Sequence, residues 1–399
     1  MPALAQSFPM PAGLDQRAPV PQPLLDAFAH VPDPRGRRGR VHRLPVVISL
    51  VSCAVAAGSK SQAAICEWVA DAPQELLERL GARWDGWRQR YKAPDRRTVQ
   101  RLLCALDPDF LDEATCSFVA EWHAHQRPVT GPVGGRVLTA LAVDGKVLRG
   151  SRSRIFDPVS LIAAFDHDLG VVVAQRQTDG KSNEIPEARR LLDQLMLTDC
   201  VITFDALHTQ RDTARYLLLR GAQYVMTVKS NQPKLLEACR RLLARPTTAS
   251  TRYFESERGH GTVRERMLTV AVADAIDFPG IKQVAGVHRW TRDLTTNEVL
   301  TREYVIVITS LTAQQADPAR LAALVRGHWS IENRLHYVRD VAFEEDRSTV
   351  TSRNLPRIMA TLRNLAIGMI RLAGHTNIAA TLRALGRRPE QLPALLHLT

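Results

Sequence analysis

Between residues 24 and 126 apolar positions recur at three- and four-residue steps, interrupted by Pro, Gly and clusters of charge. That spacing predicts helices near 24–30, 44–57, 61–71, 74–80, 96–106 and 110–125. The segment "LPVVISLVSCAVAAG" (44–58) is apolar almost throughout. It is too short to span a bilayer and reads as a helix buried on every side. "QRPVTGPVGGR" (126–136) then has the Pro and Gly content of a linker. Beyond it the period drops to two. "RVLTALAVDGK" (136–146), "SLIAAFDHD" (160–168) and "GVVVAQRQT" (170–178) predict three consecutive strands. A helix over 186–197, the strand "CVITFD" (200–205), a helix over 209–220 and the strand "YVMTVK" (224–229) come next. The order β-β-β-α-β-α-β predicts a mixed α/β sheet whose first three strands form a meander. Residues 250–310 return to strand patterning, and helices are expected again over about 317–340 and 353–373.

The first of these last helices has a clear start, with Asp317 as cap and Pro318 at the first helical position. His328, Glu332, His336 and Asp340 lie on it at four-residue steps. At 100° per residue Glu332 falls inside the apolar arc, where a carboxylate needs a partner. Arg339, two turns on, is the plain candidate for an internal ion pair. The segment lacks HExxH, which argues against a zinc site contained in one helix.

Charge alters the picture more than composition does. Lys and Arg number 53 against 41 Asp and Glu, giving +12 and a pI near 9.9. That excess points to a polyanionic partner, nucleic acid first. Arg35, Arg37, Arg38 and Arg40 crowd "DPRGRRGRVHR" (33–43), which reads as a basic arm. Arg96, Arg97 and Arg101 lie on the polar side of a helix capped by Asp95, as in a recognition helix or an ordinary solvated face. The N-terminus lacks the basic start and apolar core of a signal peptide. Six cysteines without a CxxC pair read as reduced core residues of a cytoplasmic protein, and no membrane association is expected. The isolated HxH of His123 and His125 is a weak metal signal.

Two predicted strands end in aspartate: Asp144 closes "TALAVDGK" and Asp205 closes "CVITFDA". Carboxyl ends of buried strands face the crevice where α/β proteins place ligands. Two such aspartates and a later acid, Glu332, would repel one another at one point unless cations lay between them. Oxygen-only ligands suit Mg²⁺ or Mn²⁺, and a pair of such ions can activate water and stabilise the leaving oxygen of a phosphodiester. In a +12 chain this predicts an enzyme that cuts or joins nucleic-acid strands.

The residues that carry a family resemblance are "AVDGKVLRGS" (142–151), "KSNEIPEARRLLDQL" (181–195), "VITFDALHTQRDTARYLLLRGAQYVMTVKSNQPKL" (201–235) and "RGHWSIENRLHYVRDVAFEEDRS" (326–348). With "DPRGRRGRVHRLPVVISLVSCAVAAG" near the N-terminus, they resemble insertion-sequence DDE transposases of the H-repeat-associated group. The resemblance implies an RNase H-like mixed sheet with a β-rich insertion, preceded by an α-helical N-terminal domain. The implied divisions are a flexible Pro-rich tail (1–23), a helical DNA-binding domain (24–126) and a linker (127–136). A catalytic core (137–249 and 311–373) interrupted by the insertion (250–310) and a C-terminal tail (374–399) complete them.

Carried over by position, Asp144, Asp205 and Glu332 are the implied catalytic and metal-binding acids, holding two Mg²⁺ or Mn²⁺ ions. Many relatives carry Y-x2-R-x3-E-x6-K around the last acid, where this chain has Val325, His328 and Arg339. His328, His336, Arg339, Lys146, Arg149, Lys229 and Asn231 are expected to orient these acids or contact DNA phosphate. Asp340, Glu344, Glu345 and Asp346 are alternatives to Glu332 as third ligand. Arg357, Arg363 and Arg371 are expected along DNA or on a solvated helix face. Lys181, Asn183 and Glu184 match the family without a physical role. The partners implied are double-stranded DNA, as terminal inverted repeats and target, and a second copy of the chain in the DNA complex. Two other readings share these residues: a catalytically inactive relative that only binds DNA, and an RNase H-like nuclease without strand transfer.

Overall fold

The computed structural model describes all residues except 1–20, 127–137, 154–156, 179–183, 245–249, 260, 353 and 399. The linker, most of the N-terminal tail, Lys181 and Asn183 therefore lie outside the described residues. The chain opens with α1 (Leu24–Ala29), α2 (Leu44–Ala56), α3 (Gln62–Ala70), α4 (Gln74–Arg79), the short strands β1 (Trp84–Asp85) and β2 (Arg90–Tyr91), α5 (Arg96–Ala105) and α6 (Pro108–Gln126). Next come β3 (Thr139–Val147), β4 (Ser160–Asp166), β5 (Val172–Thr178), α7 (Glu184–Leu192), β6 (Cys200–Phe204), α8 (Arg211–Leu219), β7 (Gln223–Val228) and α9 (Pro233–Ala244). Four long strands succeed them, β8 (Thr251–Gly259), β9 (Thr262–Val272), β10 (Gln283–Asp293) and β11 (Val299–Thr309). The chain closes with α10 (Pro318–His328), a π-helical turn (Glu332–His336), α11 (Tyr337–Ala342), α12 (Leu355–Leu372), α13 (Ile378–Arg387) and α14 (Leu392–Leu395). The fold is mixed α/β, and β3 to β7 follow the order β-β-β-α-β-α-β expected from the sequence.

Two compact units divide the chain. One holds Met1–Gly135, Gly145–Glu187 and Glu332–Thr399; the other holds Arg136–Asp144 and Ala188–Ile331. The first unit is built on α2 and α12. Every residue of α2 is buried, as its unbroken apolar run predicts. Each fully buried Val, Ile or Leu there contributes roughly 1.5–3 kcal/mol relative to exposure. Helix α12 packs against α2, α6 and β5, and only Arg371 of its residues is not fully buried. The expected C-terminal tail is instead helical: Asn377 caps α13 through the Ala380 N–H, and Ile378, Leu382 and Leu385 turn inward.

In the second unit β3, β6 and β7 are parallel neighbours, and β11, β10, β9 and β8 continue from β7 as antiparallel pairs. The β-rich stretch thus extends a sheet through the pairing of Ile306 with Val228. Helix α10 packs on β6, β8 and β9, with Leu321, Ala322, Leu324 and Val325 facing Val270, Val287 and Val307 in one apolar core. Asp317 caps it by accepting from the Arg320 N–H at 2.7 Å. No helix among the described residues is long and apolar enough to cross a membrane.

Candidate active site

In the second unit β3 and β6 pair in parallel, and the last partners in the register are Val143 and Phe204. Asp144 and Asp205 are the next residue after these partners, Asp144 within β3 and Asp205 just past the end of β6. Neighbouring strands of a sheet lie about 4.8 Å apart, so the backbones that carry the two aspartates run close together. The loop after β6 is fixed from several sides. Leu207 N–H donates to the Asp205 carboxylate at 3.1 Å, Asn231 Nδ2 donates to the Ala206 carbonyl at 2.7 Å, and the Thr209 hydroxyl donates to the Thr227 carbonyl at 2.5 Å. Asn231 therefore holds the backbone that carries Asp205, while Lys229 is exposed on the same loop cluster. Beneath them His328 meets the Thr203 hydroxyl through Nδ1 at 3.1 Å. Burial pushes the His328 pKa down to about 4 although the Asp205 charge opposes it, so the ring is neutral at pH 7. Burial also lowers His208, against the same Asp205 charge. Thr203 and His208 went unassigned in the sequence; only the position of His208 within "DALHTQ" hinted at a role.

In the first unit Glu332 opens the π-helical turn and its side chain is 58% exposed. His336, one turn on and buried, meets the Glu332 carboxylate through Nδ1 at 2.8 Å. That hydrogen bond holds the Glu332 carboxyl below its usual range against some burial, with the Lys146 charge assisting. Burial keeps His336 low as well, so a neutral ring donating from Nδ1 fits both groups. Glu332 is thus an ionised, outward-facing carboxylate paired with His336, and the expected internal pair with Arg339 is not made. The change from α to π winding separates the two faces.

Several neighbours depart from the phosphate-contacting role expected of them. Arg339 is 1% exposed, donates from Nε to Glu345 at 2.9 Å and forms an ion pair with it through Nη2 at 2.7 Å. Arg363, 2% exposed, takes the other Glu345 oxygen at 2.7 Å. Burial alone would raise the Glu345 carboxyl, but the two guanidiniums outweigh it and hold it low. Glu345 is therefore consumed by arginines and Arg339 is sealed from solvent. Lys146 is committed to Asp340 at 2.7 Å. Arg149 stays 81% exposed, 3.9 Å from Asp346. Arg357 is buried against Asp109 and Asp112, and Arg371 donates to the carbonyls of Gly170 and Arg334, so α12 offers no arginine face to DNA. The backbone after Asp144 is clamped too. A Cβ on Gly150 would lie 2.6 Å from the carbonyl oxygens of Glu345 and Ser348, so "LRGS" admits only glycine there.

On the helical face the basic residues divide. Arg35 is drawn into a bidentate pair with Asp33 at 2.8–2.9 Å, and Arg40 donates to the carbonyls of Asp33 and Arg35. Arg37 and Arg38 are exposed, as are Arg96, Arg97 and Arg101 on α5. The expected Asp95 cap is present, accepting from the Thr98 N–H at 2.9 Å. His123 of the HxH pairs with buried Asp166 at 2.8 Å, and all six cysteines are free.

The described residues thus combine a mixed α/β sheet carrying Asp144 and Asp205 with exposed arginines on the helical segments. The family is specific: the transposase DDE domain matches residues 136–369 and a DDE-transposase-associated domain matches 25–119. The chain belongs to the DDE transposase family. YncI of Escherichia coli O157:H7, a protein with a transposase name, is 29% identical over 373 residues, covering 88% of this chain and 87% of its own length. The H repeat-associated protein YhhI of Escherichia coli strain K12 is 26% identical over 361 residues, with coverage of 87% and 90%. A piggyBac transposase in a synaptic complex with hairpin DNA aligns over 88% of this chain and 71% of its own, at 12% identity and a TM-score of 0.42.

Proposed function

We propose that this chain is a divalent-metal-dependent DNA transposase in which Asp144, Asp205 and Glu332 are the catalytic acids. The observation that supports the reading is the parallel register of β3 and β6, in which Asp144 and Asp205 directly follow the paired residues Val143 and Phe204. The donor set suits Mg²⁺ or Mn²⁺: two adjacent carboxylates, and a third kept ionised by His336. A pair of such ions, when bound, would lower the pKa of water and stabilise charge on the leaving oxygen. The chain's own groups set up the acids. Asn231 and the Leu207 N–H fix Asp205, neutral His328 fills the space under it, and His336 orients Glu332.

In this reading the site nicks DNA at the element's ends, and the freed 3′-hydroxyl then attacks target DNA. The helical region recognises terminal inverted repeats, with Arg37, Arg38, Arg96, Arg97 and Arg101 available for phosphate. Two ends call for two copies of the chain in the assembled complex. The work is done on chromosomal DNA, in the cytoplasm of a bacterial cell. The test is cleavage of a duplex carrying the element's own end. Asp144→Asn, Asp205→Asn and Glu332→Gln should each abolish Mg²⁺-dependent nicking, a loss of at least about a thousandfold, with duplex binding retained. Full nicking by Asp205→Asn overturns the reading. Cuts without joined target products would favour the nuclease.

A further inference from the structure

The β1–β2 hairpin, which no part of the catalytic reading uses, has a rigid base and a solvent-exposed aromatic tip. Gln74 of α4 pairs both ways with the Tyr91 backbone, accepting from its N–H at 2.7 Å and donating to its carbonyl at 3.2 Å. The Tyr91 hydroxyl donates to Glu78 at 2.9 Å, and the Trp84 and Tyr91 rings meet edge-on at 4.9 Å. The tip is equally ordered: the Asp85 carboxylate accepts from the N–H groups of Trp87 and Arg88, both at 3.2 Å. On this fixed support Trp87 is 88% exposed, more than any other aromatic among the described residues. A large ring held on an ordered tip is apolar area that a partner can cover without ordering the hairpin first.

The surrounding charge says what kind of partner. Residues 83–101 hold seven cations, Arg83, Arg88, Arg90 and Lys92 on the hairpin and three arginines on α5, against Asp85 and Asp95 alone. Both acids are spent on backbone N–H groups, Asp85 in the turn and Asp95 in the cap. All four hairpin cations are exposed, and Arg88 stands 5.7 Å from the Trp87 ring. Arg35 of the basic arm donates to the His42 carbonyl at 2.8 Å. Burial first, then the charges of Lys92, Arg35 and Arg83, hold His42 below its usual pKa, with Asp95 opposing.

We propose that the β1–β2 hairpin is a DNA-contacting wing whose Trp87 packs into a groove of the element-end duplex, between phosphates met by Arg83, Arg88, Arg90 and Lys92. A tip with an apolar ring at its apex and cations on its flanks complements a groove, with sugars and base edges on the floor and phosphates on both walls. The phosphate contacts supply affinity and the ring supplies a contact that salt does not screen.

This proposal rests on the DNA-binding part of the functional reading, and one experiment separates the two. Full-length protein is titrated onto a fluorescein-labelled duplex of the element end, read by anisotropy from 50 to 200 mM salt. Trp87→Ala should weaken binding about tenfold with the salt slope unchanged, because partial burial of a large apolar ring contributes at this level and is not screened by salt. Trp87→Phe should recover most of that loss. Arg88→Gln with Arg90→Gln should lower the slope of log K against log salt by about two. Wild-type affinity in Trp87→Ala overturns the wing alone. A fall in melting temperature in that variant overturns it too, since the ring would then be structural. Absence of duplex binding by the unsubstituted chain overturns both the wing and the transposase reading.

Discussion

Replacing Glu345 removes a carboxylate shared by two buried guanidiniums, and the structure sets the size of the effect. Arg339 and Arg363 are 1% and 2% exposed, and each approaches a different Glu345 oxygen at 2.7 Å. In Glu345→Gln, Arg339 keeps the Asn364 carbonyl oxygen at 3.3 Å and Arg363 keeps the Lys60 carbonyl at 3.5 Å, both neutral and long. Breaking a buried pair from one side costs about 3–5 kcal/mol, because the remaining charge is left uncompensated. Two stranded cations place Glu345→Gln toward the upper part of that range. Urea unfolding followed by tryptophan fluorescence measures it. The companion variant Arg339→Met, Glu345→Leu, Arg363→Met removes all three charges together and should recover most of the stability. If it does so while nicking stays low, the network positions the Glu332 helix as well as stabilising it. A loss below about 1 kcal/mol in Glu345→Gln would refute the reasoning, since that is the scale of solvent-exposed pairs.

Two further outcomes are expected from packing and charge. Gly150→Ala should destabilise the first unit by about 1–3 kcal/mol, since its methyl would press on two carbonyls at 2.6 Å; unchanged melting would contradict that contact. His397 stacks on Trp122 at 3.7 Å, and burial pushes its pKa down to about 4. Its unfolded form binds a proton below about pH 6.5, so stability should fall as pH drops from 6.5 toward 4 and be fully present above. Discounted for partial exposure, the contribution is about 1–2 kcal/mol. His397→Phe should flatten that part of the pH–stability curve, and an unaltered curve would count against it.

What the sequence revealed depended on whether a short-range pattern carried it. Helix α2 was legible because an unbroken apolar run has one economical burial, and β3 to β7 because their periods alternate between two and 3.6. The caps at Asp95 and Asp317 were legible from residue type and spacing. Strands β1 and β2 were not, since two residues each cannot display an alternation. Helix α9 carried a readable signal in Leu235, Leu236, Cys239 and Leu243, overshadowed by the motif before it. The arginines of α12 were misjudged because charge predicts exposure, whereas Asp109, Asp112 and Glu345 come from distant segments and draw them inward. Asp144 and Asp205 were named from expected strand ends; the structure carries β3 on to Val147, and only the pairing of Val143 with Phe204 shows that the two segments run side by side.

The π-helical turn at Glu332–His336 has a consequence for how acid and base divide along this helix. Seven residues of regular α-helix bring the chain back to almost the same bearing, so Glu332 and Arg339 would point the same way. A widened turn inserts one extra residue and rotates the later positions by roughly 100°. Glu332 can then look outward while Arg339 looks into the protein. A single surplus residue thus gives one short stretch of chain two independent orientations, one for solvent and one for the interior.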